Sequence, residues 1–355
     1  MFDQLRLFET AWCTSGITPP YSTSMIDVEN PKLNLTTKSL PAEKTPATPA
    51  SRVSMTGWVQ YAVAWMILKS LTHLPRRAAI FFGEQVAAFI FLCIPRLQRV
   101  GMRNLELAFP EKPLTERKTI LKQSICSLGR QLGEFSQLPK LTAETVRSLV
   151  VYDGLEHFQS AQAQGKGVLV LTGHFGSWEL SAFSHALNGY PMNILVRRID
   201  NPLIEALVNR YRTCSGNHTI DKNGSARAIL TALRNRETVG VLSDLNMVRN
   251  QGVFCDFFGL PACSTPALAT LALRTGAPVV PGFLIWEAAQ KRYRLQFDPA
   301  VELIETGDSK HDIEENTARF MKIIEHKVRA YPEQWLWIHR RWKTRPEGDP
   351  GLYQG

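Results

Sequence analysis

Two side chains capable of acid–base chemistry, His174 and Glu179, stand five residues apart where a strand should give way to a helix. The uncharged run Val168–Leu171 predicts a short buried strand, and Gly173 breaks it before a helix that begins near Gly176. Residues five apart on one helix point about 140° away from each other, so we expect His174 in the loop and Glu179 in the first helical turn. The carboxylate can then hold one imidazole nitrogen while the other faces a cleft as a general base.

A histidine next to a glycine is also commonly a loop or packing residue without a chemical role. The position of His174 favours chemistry, because sites in open α/β sheets collect at the carboxyl ends of strands. No serine or cysteine stands as a nucleophile beside it, and the chain has no Gly-x-Ser-x-Gly element. We therefore expect chemistry without a covalent enzyme intermediate.

Three more charged residues are expected at the same edge of the sheet. Arg197 and Arg198 end the next strand, and paired arginines can grip a phosphate group in a bidentate manner. Asp244 ends the strand Val239–Ser243 and can serve as a ligand or a hydrogen-bond acceptor. The alternatives are solvated loop charges for the arginines and a turn cap for the aspartate.

The segment 339–345 near the carboxyl terminus is dense in positive charge and includes Arg340 and Arg341. Three tryptophans are close to it or within it: Trp335, Trp337 and Trp342. Arginine and indole together suit the boundary between lipid headgroups and water. The same composition can bind single-stranded nucleic acid, but no nucleic-acid-binding signature accompanies it, so we expect no nucleic-acid partner.

Apolar periodicity alternates between strand and helix after about residue 115. The expected strands are Val168–Leu171, Asn193–Val196, Thr238–Ser243, Val279–Ile285 and Tyr293–Phe297. The expected helices are Thr115–Leu138, Pro202–Thr213, Gly224–Asn235, Thr265–Thr275 and Asp312–Arg329. This alternation predicts an α/β fold with a mixed, largely parallel sheet flanked by helices.

The amino-terminal part divides into two regions. Residues 1–54 are rich in Ser, Thr and Pro and predict a disordered extension without a secretory signal, and Met55 offers an alternative start of translation. Gly57–Leu68 carries no charge and Ala78–Ile94 carries only Glu84, but neither reaches the roughly 20 apolar residues of a comfortable membrane span. They can form a hydrophobic hairpin, one marginal span or interfacial helices, or else two buried core helices.

Basic residues flank these hydrophobic segments and favour membrane association at an anionic leaflet. They are Lys69, Arg76, Arg77, Arg96, Arg99 and Arg103. We therefore expect a disordered extension over residues 1–54, membrane-associating helices over 55–100, a catalytic domain over 101–348 and a tail over 349–355.

The amino-acid composition limits the kinds of partner and cofactor that we expect. With 41 Lys and Arg against 32 Asp and Glu, the formal charge is +9, which favours anionic partners. The hydrophobic share of 44% is that of a globular protein rather than a polytopic membrane protein. Six scattered cysteines predict free thiols in a reducing compartment, and neither they nor the eight histidines show a metal-ligand spacing. We expect no metal and no cofactor.

The segment Gly173–Glu179 resembles the His-x4-Glu motif of the bacterial lipid A late acyltransferases (lauroyl and myristoyl transferases), which belong to the lysophospholipid acyltransferase-like superfamily. The resemblance runs from about residue 57 to 348, and three further blocks agree in order: 197–202, 252–261 and 333–346. Within it, Arg197 matches an Arg-x-x-x-Asn-Pro element. Asp244 matches an Asp-Gln pair that continues here as Leu245-Asn246.

The resemblance implies an acyltransferase that moves a fatty acyl chain from an acyl-carrier-protein thioester to a hydroxyl group of a Kdo-lipid A precursor. His174 would be the general base, Glu179 would orient it, and amides near Gly176 or an arginine would stabilise the oxyanion. Arg197, Arg340 and Arg341 would bind phosphates of the anionic glycolipid. Aromatic residues of the third block would line an acyl slot or pack in the core: Phe254, Phe257 and Phe258. The site would lie on the cytoplasmic side of the cell inner membrane.

Three alternatives remain open. The chain can acylate another membrane lipid, such as a glycerolipid, a glycolipid or an amino-acid lipid. The same pair of residues can activate water, which would make the protein a thioesterase-type hydrolase. A basic, membrane-bound interaction module without catalytic activity is the third alternative.

Overall fold

A computed structural model describes residues 53–222 and 226–353, so the expected disordered extension lies outside the described residues, apart from its last two. The helices are α1 (Met55–His73), α2 (Arg76–Cys93), α3 (Pro95–Ala108), α4 (Leu114–Gln137), α5 (Ala143–Leu149), α6 (Leu155–Ala163), α7 (Trp178–Leu187), α8 (Pro202–Thr213), α9 (Ala226–Arg234), α10 (Ala267–Thr275) and α11 (Ser309–Ala330). The strands are β1 (Val150–Asp153), β2 (Val168–Thr172), β3 (Met192–Val196), β4 (His218–Asp221), β5 (Thr238–Leu242), β6 (Val253–Phe257), β7 (Leu260–Ser264), β8 (Val279–Glu287) and β9 (Arg292–Phe297).

Seven strands form one sheet in the order β1-β9-β8-β2-β5-β3-β4. The β8–β9 pair is antiparallel and the other pairs are parallel, while β6 and β7 form a separate hairpin. The α/β fold with a mixed, largely parallel sheet flanked by helices is thereby confirmed.

Both faces of the central strand β2 are covered, which is the usual condition of a parallel strand. Leu169 and Leu171 belong to the core cluster on one face, and Val168 and Val170 belong to the cluster on the other. The uninterrupted apolar run that predicted this strand therefore reflects burial on two sides.

The order of the strands brings two loops together. β5 lies between β2 and β3, with Thr172 paired to Leu242, and the backbone N–H of Ser243 donates to the carbonyl of Thr172 at 3.0 Å. Since parallel neighbours end at the same edge, the loop carrying His174 lies beside the one carrying Asp244.

The two hydrophobic segments form α1 and α2, and α2 packs tightly along α4. A Cβ atom placed on Gly83 would lie 2.4 Å from the carbonyl oxygen of Gly129, so glycine permits this close approach. Ion pairs join the helices on both sides of the contact: Arg76 with Glu134, and Arg130 with Glu84.

The outward faces of α1 and α2 carry large exposed apolar side chains: Trp58, Val59, Val63, Trp65, Met66, Phe81, Phe82, Phe89, Ile90 and Leu92. The alternative of two buried core helices is therefore wrong. Within the described residues no single helix is long and apolar enough to cross a membrane, although α2 and α3 together, bent by 94°, meet the length and composition required.

The three tryptophans near the carboxyl terminus lie in the interior, so the expectation of a headgroup boundary is wrong for them. Trp335, Trp337 and Trp342 are between 0% and 2% exposed. Each indole N–H has an acceptor: Asp244, the Pro332 carbonyl and the Phe257 carbonyl, respectively. Burial removes large apolar rings from water while satisfying their polar atoms.

Candidate functional site

His174 lies in the loop between β2 and α7, as expected, but its partner is Asp244. The Nδ1 atom of His174 is 2.8 Å from Oδ1 of Asp244, and the backbone N–H of His174 donates to Oδ2 at 2.8 Å. Gly173 permits this contact, since a Cβ atom there would lie 3.0 Å from Cγ of Asp244. The imidazole is partly exposed, and among the described residues its Nε2 has no hydrogen-bond partner.

Asp244 is fully buried and remains ionised. Burial by itself opposes ionisation, but the charge and hydrogen bonds of His174, together with the N–H of Trp335 at 2.8 Å, lower the pKa of Asp244 to about 2. A buried carboxylate held by three donors can fix the tautomer of an imidazole and stabilise the imidazolium form.

Glu179 lies in the first turn of α7, as expected, but it binds Arg212 of α8 rather than His174. The Nε atom of Arg212 donates to both carboxylate oxygens at 3.0 Å, and a second guanidinium nitrogen completes the ion pair. Both side chains are largely buried. The prediction that Glu179 orients the imidazole is therefore wrong, because its oxygens are committed to a guanidinium.

Gly176 is required by the local backbone. It has φ of 56°, and a Cβ atom there would lie 1.9 Å from the carbonyl oxygen of Leu284. Its N–H donates to the carbonyl of Gln334 at 2.7 Å, and the N–H of Phe175 donates to that of Gly173 at 2.8 Å. These two amides are already engaged and do not bind an oxyanion, whereas stabilisation of the oxyanion by another amide near Gly176 or by an arginine stays a prediction.

A cavity of about 650 Å³ opens at His174. Its lining includes the charged residues Glu179, Arg197 and Arg212 and apolar residues beneath α7 such as Val170 and Ile194. A cavity lined by both apolar and charged groups suits an amphiphilic ligand.

Arg197 and Arg198 follow β3, as expected. Arg197 lines the cavity and is 71% exposed, with Asp200 at 3.7 Å, whereas Arg198 pairs with Asp221 at 2.8 Å and is not part of the lining. Of the two, Arg197 is brought to the same cavity as His174. Substrate binding by either residue stays a prediction.

Arg341 is inside the protein, so its expected role in binding substrate is wrong. It is fully buried, donates to the carbonyl of Cys263 at 2.8 Å and to the hydroxyl of Ser264, and lies over the ring of Phe257. Burial lowers the pKa of Arg341 to about 10. Its neighbour Arg340 lies 5.7 Å from the ring of Tyr353 and does not line the cavity.

The aromatic residues expected at an acyl slot are elsewhere. Phe257 and Phe258 are buried in the core cluster on the other face of the sheet, and Phe254 is exposed on β6. None of the three lines the cavity.

Three contributors to the site escaped sequence reasoning: Arg212, Trp335 and His339. His339 lines the cavity, its Nε2 accepts from the backbone N–H of Asn246 at 3.0 Å, and burial lowers its pKa to about 4. A neutral His339 beside His174 and Asp244 adds no charge to the site at neutral pH. For Trp335 and His339 the sequence showed only that the carboxyl-terminal segment is rich in tryptophan, arginine and histidine. It did not indicate that this segment lies beside His174 and Asp244.

Across the described ranges 53–222 and 226–353, no three His, Cys, Asp or Glu side chains group closely enough to hold a metal ion. The site consists of an imidazole whose Nδ1 is hydrogen-bonded, a buried carboxylate behind it, and Arg197 and Arg212 in the lining of the cavity. This arrangement can remove a proton from a hydroxyl group and attract an anionic ligand.

The chain thus combines an α/β fold with a histidine–carboxylate pair at the carboxyl edge of the sheet. A family model described as bacterial lipid A biosynthesis acyltransferase matches residues 48–344. The chain therefore belongs to this family and is an acyltransferase.

Several named relatives are similar to most of the chain. The lipid A biosynthesis palmitoleoyltransferase of Escherichia coli (strain K12) is 31% identical over 297 residues, which are 83% of this chain and 94% of the relative. The lauroyltransferase of the same strain is 29% identical over 297 residues, with the same shares. Its myristoyltransferase is 26% identical over 258 residues, which are 72% of this chain and 78% of the relative.

Proposed function

We propose that this protein transfers a fatty acyl chain from an acyl-carrier-protein thioester to a hydroxyl group of a phosphorylated lipid A precursor that carries Kdo sugars. The observation that carries the proposal is the His174–Asp244 pair at a cavity lined by both apolar and charged groups. The relatives named for palmitoleoyl, lauroyl and myristoyl transfer support a fatty acyl donor.

The proposed step is direct attack of the acceptor on the thioester. Nε2 of His174 takes the proton from the acceptor hydroxyl while the oxygen attacks the thioester carbonyl carbon. The tetrahedral intermediate collapses with cleavage of the carbon–sulfur bond, and the imidazolium returns the proton to the leaving sulfur. The products are the acyl ester and the free thiol of the carrier. Asp244 stays ionised and stabilises the imidazolium.

The two arginines that line the cavity suit different tasks. The guanidinium group of Arg197 is exposed to solvent, so a phosphate group of the acceptor can reach it. Arg212 is held in a fixed position by Glu179 and is largely buried, which suits the stabilisation of negative charge close to the reacting carbonyl. In this scheme Glu179 acts through Arg212 and not through the imidazole.

We also propose that the site works at the cytoplasmic side of the inner membrane, with the exposed faces of α1 and α2 in the lipid surface. Exposed apolar residues such as Phe89 and Leu92 stand close in sequence to the exposed Arg96 and Arg99. Apolar side chains edged by arginines favour an anionic bilayer. The contact of Asn201 with the carbonyl of Gly57 at 2.8 Å connects α1 to the segment that carries Arg197.

The direct test is transfer of a radiolabelled acyl group from acyl-carrier protein to the Kdo-bearing precursor. Mass spectrometry of lipid A from cells in which this protein is the only source of the activity provides a second readout. Wild type should yield the acylated product, and His174→Ala should yield none. His218→Ala serves as the matched control because that histidine is exposed on β4. Release of free fatty acid without any need for acceptor would instead favour a thioesterase, and acylation of a different lipid would change the acceptor.

Membrane docking is tested by flotation with vesicles containing anionic phospholipid. The pair Phe89→Asp and Leu92→Asp should lower the bound fraction severalfold, because each change places a charge in the apolar surface. Val151→Asp introduces the same charge at an exposed position of β1 and should leave binding unchanged. Equal loss of binding in both proteins, or in neither, would contradict the proposed surface.

A further inference from the structure

His339 is held in place by the loop that follows Asp244 and by α3. Its Nε2 atom accepts from the backbone N–H of Asn246 at 3.0 Å. Two further hydrogen bonds of 3.0 Å join the side chain of Asn246 to Thr344, one in each direction, and the side chain of Asn104 donates to the carbonyl oxygen of His339 at 2.6 Å. The position of the imidazole is therefore set by the protein before any ligand binds.

The hydrogen bond from Asn246 also determines which ring nitrogen of His339 carries the hydrogen. A backbone N–H group can only donate, so Nε2 must be the unprotonated acceptor. Burial lowers the pKa of His339 to about 4, so the ring is neutral at physiological pH. A neutral imidazole has one N–H group, and in His339 that group is therefore at Nδ1.

The Nδ1–H group of His339 is a donor without an acceptor. Among the described residues Nδ1 has no hydrogen-bond partner, and unlike Nε2 of His185 it retains accessible surface. His339 and His174 line the same cavity, and His339 lies close enough to His174 and Asp244 for their charges to act on its pKa. The cavity that contains the general base is therefore also lined by a neutral hydrogen-bond donor.

We propose that Nδ1–H of His339 donates a hydrogen bond to the carbonyl oxygen of the acyl thioester and stabilises the oxyanion of the tetrahedral intermediate. The inference rests on the proposed acyl transfer. When the acceptor oxygen bonds to the carbonyl carbon, the π electrons of the C=O bond move to the carbonyl oxygen, and the hydrogen bond from His339 strengthens. When the carbon–sulfur bond breaks, these electrons form the double bond again, and the sulfur takes its proton from His174. His339 keeps its hydrogen throughout.

A neutral donor suits this position better than a charged one. His174 becomes an imidazolium when it takes the proton of the acceptor, and a positive charge on His339 nearby would oppose that protonation. A neutral imidazole with a lowered pKa can still polarise a carbonyl group. The positive charge of Arg212 is balanced by Glu179, so it opposes the protonation of His174 less than an unpaired cation would.

The test compares two substitutions of His339 that separate the roles of its two nitrogens. In His339→Gln the side-chain oxygen can replace Nε2 as the acceptor for Asn246, but no donor remains at the position of Nδ1. In His339→Asn the amide nitrogen can replace Nδ1 as the donor, but Asn246 loses its acceptor. Acyl transfer is measured with the acyl-carrier-protein thioester and the Kdo-bearing precursor.

His339→Gln should lower kcat about a hundredfold to a thousandfold with little change in KM for the thioester, because the lost bond is stronger in the transition state than in the ground state. His339→Asn should have a kcat about tenfold or more above that of His339→Gln, although its unfolding midpoint should be lower. His218→Gln makes the same change at an exposed position of β4 and should have the kcat of wild type. A kcat of His339→Gln within about tenfold of wild type, or an equal loss in both His339 variants, would overturn the inference.

Nuclear magnetic resonance checks the tautomer without any need for turnover. In protein labelled with ¹⁵N-histidine, the ring resonances of His339 are assigned by their absence from either His339 variant. They should be those of a neutral ring protonated at Nδ1. A ring protonated at Nε2, or a charged ring at neutral pH, would refute the inference even if the His339→Gln protein fails to fold.

The outcomes also separate this inference from the proposed function. If wild type turns over no acyl thioester, acyl transfer from this donor is wrong, and the inference falls with it. If wild type is active and His174→Ala is inactive, a fully active His339→Gln protein refutes only the role of His339.

Discussion

Replacing Asp244 by Asn tests the central feature of the site. Asp244 accepts hydrogen bonds from the backbone N–H and Nδ1 of His174 and from Nε1 of Trp335, all at 2.8 Å. Asparagine has only one acceptor oxygen, so at least one of these donors would face an amide N–H group. The variant would also lack the charge that stabilises the imidazolium.

We expect kcat/KM of Asp244→Asn to fall by about three to four orders of magnitude, as for the corresponding change in a serine protease triad. The matched control is Asp153→Asn, since that carboxylate is half-exposed and remote from the cavity lining. An Asp244→Asn protein that folds normally and retains activity within tenfold of wild type would refute the role of this pair.

The same carboxylate makes stability depend on pH. Its pKa is lowered from 3.8 to about 2, so its contribution to the free energy of unfolding is present above pH 3.8 and is lost as pH falls through about 2. The size is on the order of 2 kcal/mol, from about 1.36 kcal/mol per pKa unit. Denaturant unfolding at neutral pH should show this deficit in Asp244→Asn, and the difference from wild type should shrink in strong acid. An equal deficit at both pH values would contradict the linkage.

Three further sets of substitutions test neighbouring features. Gly176→Ala should lower the free energy of unfolding by about 2 kcal/mol or more, measured by denaturant titration, because its Cβ atom would overlap the carbonyl of Leu284 in a backbone with positive φ. Glu179→Gln and Arg212→Lys should each lower kcat/KM about tenfold, and the double variant should lose little more, since the two form one unit; full additivity would refute that coupling. Arg341→Lys should cost about 3 kcal/mol of stability with KM for the acceptor unchanged in the folded fraction, whereas a raised KM in a stable protein would restore the substrate-binding interpretation.

Several elements could be predicted because their signals are local. Pro202–Thr213 is a helix with the expected bounds, because Asn201 caps its first amides and Pro202 fits its first turn. The strand, loop and helix around His174 were predicted from an apolar run and a glycine break. The hairpin of β6 and β7 was not predicted, since its aromatic residues favoured a binding loop equally well.

The sequence by itself determined that His174, Arg197 and Asp244 stand at the ends of buried strands, because apolar runs and breaks depend on near neighbours. Only the tertiary structure decided which carboxylate meets the imidazole. Glu179 is five residues from His174 and Asp244 is seventy, yet Asp244 is the partner because β5 pairs directly with β2. Likewise, composition could not distinguish an interfacial Arg341 from a buried one, since guanidinium and indole groups suit either environment once their N–H groups have acceptors.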